Sequence, residues 1–222
     1  MIAPNVKKWL PIVELEIKRN SYPFVSALVL SVIQRESQGT AGAVNPKSGA
    51  SGLMQVMPAT LRDYNKHNPP ISLETLRSNS IEAGRQQIKV GLWVLGRFWR
   101  NAYKWIREIR ETVPLDELAK FGDAFFAAGP ARIKGMAKNR RTWAQWSNEY
   151  PDSIITVRGN AIWQQTAEQK PTWNLSAVDQ WVEAGSEAIQ KNKQGFAVDL
   201  IILAVASLAL KYFQKGKKHE SS

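Results

Sequence analysis

Apolar residues recur every three or four positions along most of the chain, and Pro, Gly and Asn punctuate the segments between them. This pattern predicts helix almost throughout. An opening helix is expected over 6–19, with Trp9, Val13 and Ile17 on one face, broken by Asn20-Ser21-Tyr22-Pro23. From Phe24 to Ile33 nearly every residue is apolar, which predicts a short helix buried on all sides and running into Gln34-Arg35-Glu36-Ser37. Residues 38–51 are rich in Gly, Ala, Asn, Pro and Ser and have no period, so they form an irregular loop. A helix starts after Pro58, and Pro69-Pro70 breaks the chain again. A long helix then runs from about Ser80, with Ile81, Gly84, Ile88, Leu92, Leu95 and Trp99 along one stripe. Pro114 ends that run. The next helix starts near Leu115, carries Leu118, Phe121, Gly122 and Phe125 on one face, and stops at Gly129-Pro130. Residues 140–181 are rich in Trp and Gln and give no clear elements, and 174–195 read as a polar helix or linker.

One more apolar segment, 196–213, is interrupted only by Asp199, Ser207 and Lys211 and is flanked by lysines. As a helix it would span ~27 Å, close to the ~30 Å hydrocarbon core of a bilayer. Its uninterrupted run is only Leu200 to Leu210, so a membrane span and a buried core helix both stay open. The expected layout is an N-terminal helix (1–22), a main domain (23–165), a polar helical linker (166–195), a candidate transmembrane or membrane-associated helix (196–213) and a basic tail (214–222).

Composition narrows the chemistry. The 222 residues suffice for one globular domain and an appendage, and the net charge of +11 points to a polyanionic neighbourhood. Nucleic acid, phospholipid headgroups, and teichoic or peptidyl carboxylates all qualify. No nucleic-acid-binding motif gives the charge a specific shape, so it reads as surface steering. With no cysteine there is neither a disulfide framework nor a thiolate metal site. His67 and His219 are far apart and no acidic metal-loop motif occurs, so no cofactor and no metal are expected. No secretory signal peptide is visible at the N-terminus.

The chemistry-bearing residues cluster in Glu36-Ser37, Asn45-Pro46, Gly49, the run Gly52-Leu53-Met54-Gln55-Val56-Met57-Pro58-Ala59-Thr60, and Ala128-Gly129-Pro130. Together, over about 23–135, they resemble the catalytic domain of the lysozyme-like soluble lytic transglycosylases, which cut peptidoglycan between N-acetylmuramic acid and N-acetylglucosamine. The resemblance implies an all-α, lysozyme-like fold of the goose-type or transglycosylase kind, here with a C-terminal hydrophobic helix. It also implies Glu36 as the catalytic acid and base, and a substrate groove lined by Ser37, Asn45, Gly52, Met54, Gln55, Met57 and Phe126. The implied product is a 1,6-anhydromuramoyl end, formed without water when Glu36 takes a proton from the substrate's own C6 hydroxyl.

Glu36 has a physical case of its own. A carboxyl at the C-terminal end of an apolar helix meets both desolvation and the negative end of the helix dipole, so its pKa should rise. A carboxylic acid still protonated near neutral pH can deliver that proton to a glycosidic oxygen. Arg35 should project about 100° away from it and act weakly. Asp63 and Glu74, the nearest downstream acids, sit in polar helical surroundings and read as solvated. Trp93, Trp99, Tyr103 and Trp105 fall at helical spacing and read as core rather than sugar-stacking faces.

Two positions depart from the family pattern. Phe126 stands where the family keeps Tyr, so no phenol can orient Glu36 from there, and Asn45 replaces a common Ser. Three readings are open at this stage. They are a lytic transglycosylase, a goose-type lysozyme that hydrolyses the same bond, and a membrane-anchored virion or secretion-apparatus component with weak muralytic activity. The expected partners are peptidoglycan strands, a membrane through the C-terminal helix, and other virion or secretion-apparatus proteins. The expected setting is a bacteriophage particle or membrane, acting at the periplasm or wall.

Overall fold

The structure is a computed structural model that describes residues 1–128 and 142–191. The described residues are helical apart from loops, with two isolated bridges, Val44 to Ser51 and Ser51 to Val56, in place of strands. The helices are α1 (Pro4–Lys7), α2 (Leu10–Arg19), α3 (Ser26–Ser37), α4 (Pro58–Asn65), α5 (Leu73–Arg77), α6 (Ile81–Arg107), α7 (Leu115–Ala128), α8 (Trp143–Glu149), α9 (Ile154–Ala167) and α10 (Leu175–Lys191). The described residues adopt the expected all-α class. The C-terminal segment 196–213 lies outside the described residues, and among those described no helix is long and apolar enough to cross a membrane.

The opening helix is two helices rather than one. Pro11 lies in the first turn of α2 and has no N–H to give to a continuing helix, so the ladder breaks at Lys8-Trp9 and restarts. The Trp9 ring fills the gap above Gly84 of α6, and its indole N–H donates to Gly39 O at 3.0 Å. Helix α3 is buried on every side from Ala27 to Ile33, as its unbroken apolar run requires.

Helix α6, about 40 Å long at its 27 residues, is the axis of the fold. Ser80 caps it by accepting the Ala83 N–H. Gly84, Ile88, Leu92, Leu95 and Trp99 are buried as expected, but Ile81 is 64% exposed even though Ala83 and Gly84 in the same turn are buried. Helix α7 packs between α6 and α9, and α9 also packs on α3. This layering brings a late part of the chain against the end of α3.

Residues 166–195 contain the expected helix, yet it does not stand apart as a polar linker. Val178, Trp181 and Val182 of α10 are buried in the same core as α3 and α6. The Trp181 ring lies 5.9 Å from Phe24, and Trp173 stacks on Trp99 at 5.9 Å. Trp99 and Trp105 are core residues and Trp93 is almost fully buried, while Tyr103 is half-buried with its hydroxyl donating to Asp179 at 3.2 Å.

Candidate active site

Glu36 occupies the last turn of α3, where Gln38 turns left-handed (φ 53°) and closes the helix on Gln34 O. Its side chain is 11% exposed. The apolar turns ahead of it are sunk in the core, so the carboxyl emerges at the core's edge instead of in open water. Burial raises the Glu36 carboxyl above the usual carboxylate range, and Arg158 and then Arg35 draw it back without cancelling the rise. The direction of the shift is the one expected for a carboxyl at the end of an apolar helix.

The ion-pair partner is Arg158 of α9, whose Nη1 donates to Glu36 Oε1 at 3.1 Å. Sequence reasoning missed it, because Arg158 lies 122 positions away in no motif and only the packing of α9 on α3 brings the two together. Arg35 is exposed and is the weaker of the two influences, in line with its expected direction.

The Gly52–Met57 run forms a tight loop pinned from several sides. Gly52 has φ 79°, and a Cβ there would sit 2.9 Å from both the Gln87 amide and Leu76 O, so glycine alone fits. Its N–H donates to Ala43 O at 2.8 Å, and Ser51 and Val56 exchange backbone hydrogen bonds in both directions. The Leu53 N–H donates to Gln87 Oε1 at 3.0 Å, while Gln87 Nε2 donates to Thr75 O and Ser78 O. Gln87 is only 1% exposed and ties the loop to α6 and the end of α5. It too escaped the sequence reading. The available signal was a polar residue on the buried stripe, three positions after Gly84 and one before Ile88.

The other expected site residues are placed unequally. Gln55 is half-buried with φ 47°, and its amide donates to Ala43 O and Gly52 O, so it knits the loop to itself. Met57 is exposed on the loop's rim. Met54 is fully buried in the space left by Gly91, so it supports the loop from beneath and does not face solvent. Ser37 spends its hydroxyl locally, donating to Ile33 O and accepting from Gly39 N. Asn45 is exposed, with Oδ1 accepting the Lys47 and Ser48 N–H groups in a turn. Phe126 is half-buried, edge-on to Phe98 at 6.3 Å. Among the described residues, no hydrogen bond or ion pair joins Glu36 to any of these side chains.

Asp63 is paired with Arg97. Partial burial would push its carboxyl up, but that pairing, with His67 and Lys66, holds it below the usual range. Glu74 is exposed. No group of three potential metal ligands occurs among the described residues. A cleft of about 360 Å³, walled by Tyr103, Arg107, Asp179 and Glu183 among others, includes none of the expected site residues.

The match to known families falls on this constellation. Residues 15–108 are similar to the transglycosylase SLT domain. This SLT-like stretch runs from α2 through α6 and contains Glu36 and the whole Gly52–Met57 loop, but neither Phe126 nor Arg158. The similarity supports a lysozyme-like lytic transglycosylase acting on peptidoglycan. No curated protein and no solved structure gave a match.

Proposed function

We propose that this protein cleaves the N-acetylmuramic acid to N-acetylglucosamine bond of peptidoglycan with one carboxylate, leaving 1,6-anhydromuramoyl ends. The observation that carries the reading is Glu36, a mostly buried carboxyl whose hold on its proton is strengthened by burial at the end of α3, inside the SLT-like stretch. Glu36 gives its proton to the glycosidic oxygen as the bond from C1 breaks. The resulting carboxylate then takes the proton of the C6 hydroxyl while O6 bonds to C1, so the enzyme returns to its starting state and no water is consumed.

Hydrolysis would call on a second carboxylate ~5 to ~9.5 Å away. The charged groups acting on Glu36 among the described residues are both arginines, and no carboxylate among those residues is hydrogen-bonded to it. This favours the anhydro product. The net charge of +11 suits a wall or envelope surface rich in anions. The proposal extends to local opening of the wall by a bacteriophage particle, with the 196–213 segment at a membrane.

Mass spectrometry of muropeptides after incubation with sacculi tests the chemistry. Anhydro ends are expected from the wild type and none from Glu36→Gln. Reducing ends would replace the lyase by a hydrolase, and cleavage by Glu36→Gln equal to wild type would remove Glu36 from the mechanism. Recovery of the protein from purified virions tests the setting.

A further inference from the structure

We infer that Arg158 is the positioning residue of Glu36, fixing which carboxyl oxygen carries the proton and steadying the charge once that proton has left. The inference rests on the one-carboxylate reading above. Arg158 makes the one hydrogen bond to the Glu36 carboxyl among the described residues, and it engages Oε1 alone. The contact is single rather than bidentate, so Oε2 is left to carry the proton toward a glycosidic oxygen.

The arginine is itself held in place. It is 30% exposed, on a helix pressed so closely against its surroundings that a Cβ on the next residue, Gly159, would strike the Trp143 ring at 2.4 Å and Lys120 O at 2.8 Å. Backbone packing at 159 thus sets the origin of the side chain at 158. Phe126 offers no hydroxyl to do this orienting, whereas a guanidinium does it and adds a charge.

The two steps of the cycle ask opposite things of one carboxyl. Burial favours the neutral form needed for bond cleavage, and a nearby cation favours the anion present between the steps. A buried Glu without a cation would be a poor transient anion, and an exposed Glu beside an arginine would be a poor acid. Among the described residues, the charged groups that act on this carboxyl are Arg158 on α9 and Arg35 on α3 itself. The other helices packed on α3, namely α1 and α2, bring none to it.

The experiment uses the full chain as wild type, Arg158→Gln and Arg158→Lys. It measures kcat and KM on solubilised glycan strands across pH, and the titration of the Glu36 carboxyl by carbon NMR without substrate, assigned with Glu36→Gln. Because the acid must be protonated to act, activity falls as pH rises through the Glu36 pKa. Removing the cation should move both that alkaline limb and the NMR titration to higher pH and lower kcat by up to ~100-fold with KM little changed. Arg158→Lys should restore the limb but only part of kcat, since it keeps the charge and loses the planar donor.

An unmoved titration in Arg158→Gln, or full kcat in Arg158→Lys, overturns the inference. If Arg158→Gln does not fold, the Lys variant still decides it. A wild type that releases no product defeats the functional proposal instead, and the NMR titration then judges the Arg158–Glu36 coupling separately.

Discussion

Replacing Gln87 by Leu separates the loop's anchor from the site's chemistry. Leu has a similar size and a comparable helix propensity, so α6 should persist, but the substitution removes three hydrogen bonds at once. The Leu53 N–H would be left buried without its acceptor, at a cost of about 1–3 kcal/mol. Thr75 O and Ser78 O would each lose a donor worth about 0.5–1.5 kcal/mol, partly offset by burying an apolar side chain in place of an amide. The net expectation is a loss of about 2–4 kcal/mol, first seen as opening of the 52–57 loop and only then as global unfolding. Hydrogen exchange at Leu53, urea unfolding and muropeptide release report these in turn. Protection of Leu53 should collapse, and cleavage should fall by up to ~100-fold through misplacement of the loop. Unchanged Leu53 protection together with a stability loss under ~0.5 kcal/mol would show that Gln87 is not what holds the loop.

Two further tests concern the core beneath the site. In Gly122→Ala the new methyl would lie 2.4 Å from Trp99 Cδ1 and 2.6 Å from its Nε1, against a rigid ring packed between Phe24 and Trp173. Overpacking should outweigh the helix-propensity gain and leave a net loss of about 1–2 kcal/mol in denaturant unfolding, and a stabilised variant would mean that α6 and α7 separate easily. Asp123 is fully buried on α7 and neither oxygen makes a hydrogen bond of normal geometry, so burial holds its carboxyl well above the usual range, with the Trp99 indole N–H pulling the other way. An acid whose pKa is raised by folding withdraws stability as pH climbs from its unfolded value of ~3.9 toward the folded one. Asp123→Asn should therefore gain on the wild type in thermal melts between acid and neutral pH, and parallel melting curves would contradict that.

Local pattern made legible whatever depends on local pattern. The apolar run 24–33 could only be a buried helix, and its end had to leave Glu36 half in the core. The stripe of α6 was readable because its apolar positions are buried along its length, except at Ile81, which stays exposed. Pro11 was visible, but its consequence was not, since a proline can start a helix as well as break one. The region 140–181 gave no pattern because its buried apolar residues among those described, Trp143, Ile155, Ile162, Val178 and Trp181, are widely spaced and join a core shared with helices from the first half of the chain. Arg158 is the sharpest case. Its role is set by the angle at which α9 crosses α3, and no spacing in the sequence encodes that angle.

That dependence bears on where the working unit ends. The SLT-like stretch stops at residue 108, before α7, α9 and α10. Yet α7 covers α6, α9 covers α3, and Trp173 and Trp181 pack on Trp99 and Phe24. Cut at 108, α3 would face water along the side that α9 now dries, and the burial that raises the Glu36 carboxyl would weaken with it. The same α9 that supplies the desolvating wall supplies Arg158, so one helix sets both opposing influences on the acid. A shift of α9 would therefore weaken both together, and the balance between a neutral acid and a stabilised anion is a property of helix packing as much as of the motif around Glu36.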